Sequence, residues 1–281
     1  MKTSNSFDKL GIICGEGDAV HKIVEACKRQ GREFFILAFE GHTDQQSVNS
    51  YPHAWVKLAH IGKALSVLRQ QKVQEIVFIG RFRRPAWSEL RPDLVGAKWI
   101  ARMMGKVFGD DSFLRSIIEK LESEEGFKVI SAEKVIGNEI LISLGVLGKH
   151  APSKEALADI DYGIKVAQIL GKADVGQAVI VQQGLVLGVE AIEGTDVLIK
   201  RCSSLKREGF PGVLVKIVKP QQEIRIDRPT VGPETIKNIY EAGFAGIAME
   251  AEGVILVQKE RVLELADQWG IFLIGIKAHD S

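Results

Sequence analysis

Residues 10–27, LGIICGEGDAVHKIVEAC, set an apolar run, a glycine turn and an amphipathic stretch end to end. Leu10 to Cys14 reads as a buried strand. After Gly15, Glu16, Gly17 and Asp18, the apolar positions Val20, Ile23, Val24 and Cys27 fall three and four apart, the spacing of one helix face. The unit then recurs. EFFILAF at 33–39 is a second strand, residues 61–71 a second helix, and EIVFI at 75–79 a further strand that stops at Gly80. Alternating strands and helices predict a mainly parallel sheet covered by helices, a Rossmann-like α/β domain.

The chain's 281 residues exceed the roughly 100–200 of a single domain, which predicts two. Around 145–153, GVLGKHAPS, glycine, proline and polar residues interrupt the apolar pattern, placing the boundary between a domain at 1–148 and another at 149–281. The second half has a different texture. Ser153 can cap a helix to about residue 170, and 178–181 and 185–189 flank Gln182, Gln183 and Gly184, which predicts a hairpin. Strands follow at 212–218, 246–249 and 271–274, with helices at 193–205, 233–242 and 259–269. This is a distinct mixed α/β domain.

Hydrophobic residues at 46% and charged residues at 26% are average for a folded chain, which excludes disordered and fibrous classes. Thirty-seven Lys and Arg against 36 Asp and Glu leave a net charge of +1, too little excess to displace counterions from a nucleic acid, so no nucleic-acid partner is expected. Cys14, Cys27 and Cys202 lack metal-ligand or disulfide spacing and suit a reducing cytoplasm. No run approaches the roughly 20 apolar residues of a membrane span. A cytoplasmic protein is expected, resting at most on a membrane surface.

Four stretches can carry chemistry. Gly15 and Gly17, between a strand and a helix, could offer backbone N–H groups to a phosphate; no third glycine completes GxGxxG, and an empty turn is the equal alternative. GRFRRP at 80–85 places Arg81, Arg83 and Arg84 just past a strand's carboxyl end, where open α/β sheets bind ligands. VEAIEGTD at 189–196 brings Glu190, Glu193, Thr195 and Asp196 to the end of an apolar strand, with Lys200 and Arg201 one helical turn later; the plainer reading is an ordinary helix start. In KIVKPQQEIRIDRPTVG at 216–232, Glu223, Arg225 and Asp227 alternate and would project from one face of an extended segment, preceded by Lys216 and Lys219. An edge strand guarded by charge and proline is the alternative there. Asp174 and Gln177 in KADVGQA form a smaller polar group that turn chemistry also explains.

Carboxylates set beside lysines and arginines fit one reaction class. Oxygen ligands suit a hard cation such as Mg²⁺, cations suit phosphate oxygens, and a carboxylate can activate water. The six histidines have no ligand spacing, and no GxSxG elbow supports a serine hydrolase.

Taken together, DVGQAVIV at 174–181, VEAIEGTD at 189–196, KPQQEIRIDRPTVG at 219–232 and GRFRRP at 80–85 resemble the UDP-2,3-diacylglucosamine pyrophosphatases of lipid A biosynthesis, over about residues 9–276. The resemblance implies a cytoplasmic, Mg²⁺-dependent Gram-negative hydrolase that cleaves UDP-2,3-diacylglucosamine to UMP and 2,3-diacylglucosamine 1-phosphate (lipid X). Its lipid-linked UDP-sugar would be reached by transient contact with the inner membrane. The family's R-x-D-x-P aspartate falls on Asp227, with water attacking the sugar-side phosphorus. Two departures stand out: Asp18, Ala19 and Val20 follow Gly17 where the family often has Leu-Pro, and Glu223 follows the motif glutamine where many members have Asp.

The expected site therefore has Asp227, Glu223 and Arg225 in catalysis. Glu190, Glu193, Asp196 and Asp227 are the pool of Mg²⁺ ligands. Gly15, Gly17, Arg84, Asp174, Gln177, Thr195, Lys200, Arg201, Lys216 and Lys219 hold substrate. A homodimer is compatible with all of this. The competing functions are a non-catalytic nucleotide-sugar or lipid-binding protein and a phosphohydrolase of another UDP-sugar.

Overall fold

The computed structural model describes residues 7–17, 19–80, 82, 91–103 and 110–278. Two units divide between Gly137 and Asn138. In the first, the elements in chain order are β1 (Leu10–Cys14), α1 (Ala19–Gln30), β2 (Phe34–Phe39), α2 (Gln45–Val48), β3 (His53–Val56), α3 (Ile61–Gln70), β4 (Glu75–Ile79), α4 (Leu94–Met103), α5 (Asp110–Ser123), β5 (Lys128–Ile130) and α6 (Ala132–Ile136). The strands form a sheet of order β3-β2-β1-β4-β5 in which every pair is parallel. β1 is buried along its whole length, as a central strand covered on both faces must be, and α1 buries the expected Val20, Ile23, Val24 and Cys27.

This order is the Rossmann-like one, and it reverses direction between β1 and β4. The two strands' carboxyl ends meet closely there: the Gly15 N–H donates to the Ile79 carbonyl at 2.8 Å. Gly80 sits at φ +88°, and a Cβ on it would lie 2.7 Å from the Glu16 carbonyl oxygen, so the approach of the two turns requires glycine. At the amino end of the same sheet, Glu75, which opens β4, is gripped by Arg32 and Lys128.

The second unit runs β6 (Gly145–Leu147), α7 (Lys154–Lys172), β7 (Ala178–Gln182), β8 (Leu185–Val189), α8 (Thr195–Ser203), β9 (Val213–Lys216), β10 (Thr230–Val231), α9 (Pro233–Ala242), β11 (Gly246–Glu250), β12 (Ile255–Leu256), α10 (Lys259–Trp269) and β13 (Phe272–Ile276). Its main sheet has the order β6-β13-β11-β9-β7-β8. β13, β11 and β9 are parallel, whereas β6, β7 and β8 pair antiparallel. Along β7 the side chains alternate between two cores: Val179 and Val181 pack with α7, Ala178 and Ile180 with α8, α9 and α10. Ser153 caps α7 as its sequence position suggests, its Oγ accepting from the Ala156 N–H at 3.2 Å.

The expected boundary at 148/149 does not coincide with this division. Residues 145–147 form β6, which closes the edge of the second sheet against β13, so the glycine- and proline-rich stretch lies inside the second unit. Its glycines make turns around a short strand.

Candidate functional site

Lys216, the last residue of β9, pairs with Ala178, the first of β7, and β8 ends at Val189 opposite Val179. The segments 174–177, 190–196 and 216–230 consequently meet at one end of the second sheet, beyond the carboxyl end of β9. Lys216 Nζ donates to Thr195 Oγ1 at 2.8 Å and to the Thr230 carbonyl at 2.9 Å. Thr195 Oγ1 in turn donates to Glu190 Oε1 at 2.6 Å, and Glu190 Oε2 accepts the Gln177 N–H at 3.2 Å. Glu190 is 6% and Lys216 5% exposed. Charges this deep persist only with hydrogen-bonded partners of opposite sign close by, which the threonine bridge supplies. Gly176 makes room for the arrangement, since a Cβ there would lie 2.1 Å from the Glu190 carbonyl oxygen.

A second polar chain lies in the loop after β9. Lys219 Nζ meets Asp174 Oδ1 at 2.7 Å, and the Lys219 N–H donates to Gln222 Oε1 at 3.0 Å. The Gln222 amide then donates to Asp227 Oδ2 at 2.9 Å. Gln222 was not among the expected residues, although it lies inside the same motif; only the folded loop reveals that it holds Asp227. Arg228 Nη1 fastens the loop to the Glu252 and Gly253 carbonyls, at 2.7 and 3.2 Å, and Glu250 at the end of β11 accepts the Val218 N–H at 2.7 Å.

The extended reading of 223–227 is corrected. The Glu223 carbonyl accepts from the N–H groups of Ile226 and Asp227, at 3.1 and 3.0 Å, which closes a turn between Pro220 and Pro229. Alternation therefore no longer places three charges on one face. Glu223 binds Arg225 side chain to side chain, at 2.8 and 2.9 Å, while Asp227 turns to Gln222.

The remaining candidates spread outward. Arg201 Nη2 joins Glu193 Oε1 at 2.8 Å and the Val189 carbonyl at 3.0 Å. The Arg201 hydrogen bond, followed by Glu193's own backbone N–H, holds that carboxyl below its ordinary value. Asp196 accepts from Thr235 Oγ1 at 3.0 Å, and Lys200 is exposed on α8. Among the described residues no three His, Cys, Asp or Glu side chains gather into a metal-holding group. The four carboxylates expected to hold Mg²⁺ are thus not one donor set: Glu190 has both oxygens engaged, Glu193 is taken by Arg201, and Asp196 and Asp227 each serve a different neighbour. Gly15 and Gly17 lie in the first unit, at the β1–β4 crevice. Arg84, like Arg81 and Arg83, lies outside the described residues. The three cysteines are free and buried, and burial pushes the Cys14 thiol up to about 11.

Comparison with known proteins gives consistent matches along the chain. A family model of the LpxI N-terminal domain matches residues 9–138 and one of the LpxI C-terminal domain residues 143–274. The UDP-2,3-diacylglucosamine pyrophosphatase LpxI of Caulobacter vibrioides is 38% identical over 275 residues, spanning 95% of this chain and 97% of that protein. Among solved structures, a CobK precorrin-6A reductase aligns over 98% of this chain and 90% of its own at 9% identity and a TM-score of 0.32, a likeness too low to bear on fold or site.

Proposed function

Because the chain belongs to the LpxI family, we propose that it hydrolyses the diphosphate of UDP-2,3-diacylglucosamine, releasing UMP and 2,3-diacylglucosamine 1-phosphate in lipid A biosynthesis. What supports the reading at particular residues is that buried Lys216, buried Lys219 and Asp227 lie on one segment leaving the carboxyl end of β9, with Gln222 accepting from the Lys219 N–H and donating to Asp227. Lys216 and Lys219 are compact cations with several donors each, suited to phosphate oxygens. At about 4 Å and an effective dielectric near 20, each contact has a Coulomb term of roughly 4 kcal/mol before desolvation. Asp227, oriented by Gln222 through Oδ2, takes the proton of the attacking water. Asp174 holds Lys219 directly, and Glu190 holds Lys216 through Thr195. Glu223 and Arg225, paired with each other, shape the turn that presents Asp227.

A requirement for Mg²⁺ is a separate part of the proposal. Among the described residues there is no carboxylate cage, and Mg²⁺ commonly binds through one or two carboxylates together with substrate phosphates. Loss of UMP release on chelation, restored by added Mg²⁺, tests it. No helix among the described residues is long and apolar enough to cross a membrane. Transient contact with the inner-membrane surface, where a lipid-linked substrate would reside, is the remaining part of the proposal.

The deciding experiment is Asp227→Ala. Turnover is expected to fall about 10²- to 10⁴-fold, the usual loss with acid–base assistance, while the circular dichroism spectrum stays that of the wild type. Near-normal UMP release with Mg²⁺ present would remove Asp227 from the mechanism. Reaction in ¹⁸O water is expected to label the lipid product; label in UMP would place the attack on the other phosphorus. Equal turnover of UDP-N-acetylglucosamine would contradict the acylated substrate.

A further inference from the structure

We propose that Arg228 is a positioning residue for Asp227: seated on the turn 250–253 that follows β11, it fixes where the loop after β9 presents that carboxylate. The inference rests on the reading of Asp227 as proton acceptor and adds the group that sets its place. From Val218 to Arg228 no apolar side chain is buried, whereas Ile217 before that stretch and Pro229 and Val231 after it are. Apolar burial therefore does little to place the loop, and hydrogen bonds must do it. Several of these are local. The Gln222 N–H donates to the Lys219 carbonyl at 2.9 Å, and the N–H groups of Ile226 and Asp227 donate to the Glu223 carbonyl, which shapes the loop without fixing it to the sheet. The part that holds Asp227 is tied down at the next residue, where Arg228 Nη1 donates to the Glu252 and Gly253 carbonyls at 2.7 and 3.2 Å.

The seat is braced from behind. The Glu252 N–H donates to the Ile142 carbonyl at 2.8 Å, the Ile142 N–H to the Val254 carbonyl at 3.1 Å, and the Ala251 N–H to the Ile276 carbonyl at 2.9 Å. Glu252 itself adopts φ +59°, a left-handed conformation that residues other than glycine rarely take and that persists only where the surroundings impose it. Such strain gathers at functional sites, and here it belongs to the turn that offers two carbonyls to one guanidinium. The same turn also grips the start of the loop. Glu250 accepts the Val218 N–H at 2.7 Å, and a Cβ on Gly253 would lie 2.6 Å from Val218 Cγ2, a closeness that requires glycine. One braced turn thus holds both ends of the loop that carries Lys219, Gln222 and Asp227. Loosening a segment that buries so little apolar surface should cost the fold little. Displacing its carboxylate should cost the reaction much, since a misplacement of about 1 Å can lower a rate about 10²-fold.

The test compares, in the full chain, Arg228→Met, which keeps the apolar stem and removes the donors, with Arg228→Lys, which keeps a cationic donor. The first is expected to lower kcat about 10- to 10²-fold with little change in KM and a urea midpoint near that of the wild type, and the second to recover part of the loss. In an Asp227→Ala background, Arg228→Met should cause no further loss, because the group it positions has gone. Amide exchange gives a readout independent of turnover. In Arg228→Met the Ile226 and Asp227 amides should exchange at least about tenfold faster, while β9 and β11 keep their protection. Four outcomes overturn the proposal. A raised KM at unchanged kcat, or an equal further loss in the absence of Asp227, would make Arg228 a substrate contact. A lowered urea midpoint with unchanged kcat per folded molecule would make it a brace of the fold, and unaltered exchange of the two amides would mean that it does not hold the loop. Turnover that survives Asp227→Ala would instead count against the reading of Asp227 alone, and the exchange of its amide would still decide whether Arg228 sets its place.

Discussion

The two units place buried charge at opposite ends of their own sheets. In the first, Glu75 opens β4, Lys128 opens β5 and Arg32 lies just before β2, so the ionic cluster binds the amino ends of three strands. In the second, Lys216 closes β9 and Glu190 follows β8, and their threonine bridge lies where the β9 loop leaves the sheet. Open α/β sheets receive ligands beyond their strands' carboxyl ends. On that rule the amino-end cluster is expected to brace the fold and the carboxyl-end one to meet a substrate. Burial and pairing alone would not tell the two apart, and the expectation rests on position along the strand.

Exchanging one member of each cluster would break or sharpen that contrast. Lys216→Met is expected to lower turnover about 10²- to 10³-fold, as loss of a preorganised positive donor does, measured per folded molecule. Glu75→Gln, which leaves Arg32 buried without its counter-charge, should destabilise the first unit by roughly 3–5 kcal/mol in a urea titration while turnover per folded molecule is unchanged. If Glu75→Gln instead depressed turnover as deeply as Lys216→Met at undiminished stability, the amino-end cluster would be functional and the contrast void. Gln222→Ala comes next. A hydrogen bond to a charged group contributes about 1.5–3 kcal/mol, so a kcat loss of roughly ten- to a hundredfold with little change in KM is expected, and Gln222→Asn should recover less than full activity because its shorter arm cannot span Lys219 and Asp227 together.

Where local pattern decides structure, the sequence is a good guide. β1, β4, α9 and α10 follow directly from apolar runs and three-four spacing, with α9 and α10 ending at Gly243 and Gly270 in left-handed caps. β3 and β5 escape that reading because HAWV and KVI are too short to show a period, and β6 because its glycines read as linker. The site shows the same limit. Membership of the 216–232 and 189–196 stretches is legible from their charges, but Lys216 meets Thr195 only because an antiparallel β7 separates β9 from β8, a register no local pattern encodes. The alternating charges of 223–227 suggest an extended strand, and the hydrogen bonds of the Glu223 carbonyl make a turn instead. Gln222 remains hidden for the same reason, since a glutamine beside a proline has many roles until the loop is closed.

The smallest expected effect is an acid one, and it separates the two sheets directly. Burial acts to raise the Glu75 carboxyl, but hydrogen bonds from Lys128 and Arg32, reinforced by their charges, outweigh it and leave the group below its ordinary value. A folded value below the unfolded one means that the fold favours the carboxylate. The resulting stability is complete above the unfolded value of about 4.3, declines as the pH falls through the depressed folded value, and is absent below both. Glu193 in the second unit is lowered too, chiefly by Arg201, yet that pair is solvent-screened and adds little. Amide exchange of β1 and β4, corrected for intrinsic rates, should therefore lose protection as the pH drops below about 4.3 more steeply than that of β9 and β11. In Glu75→Gln the first sheet starts less protected and this steeper loss disappears, because no proton is taken up at that position. Parallel loss in both sheets, insensitive to Glu75, would mean that the amino-end cluster braces nothing and that its burial has another cause.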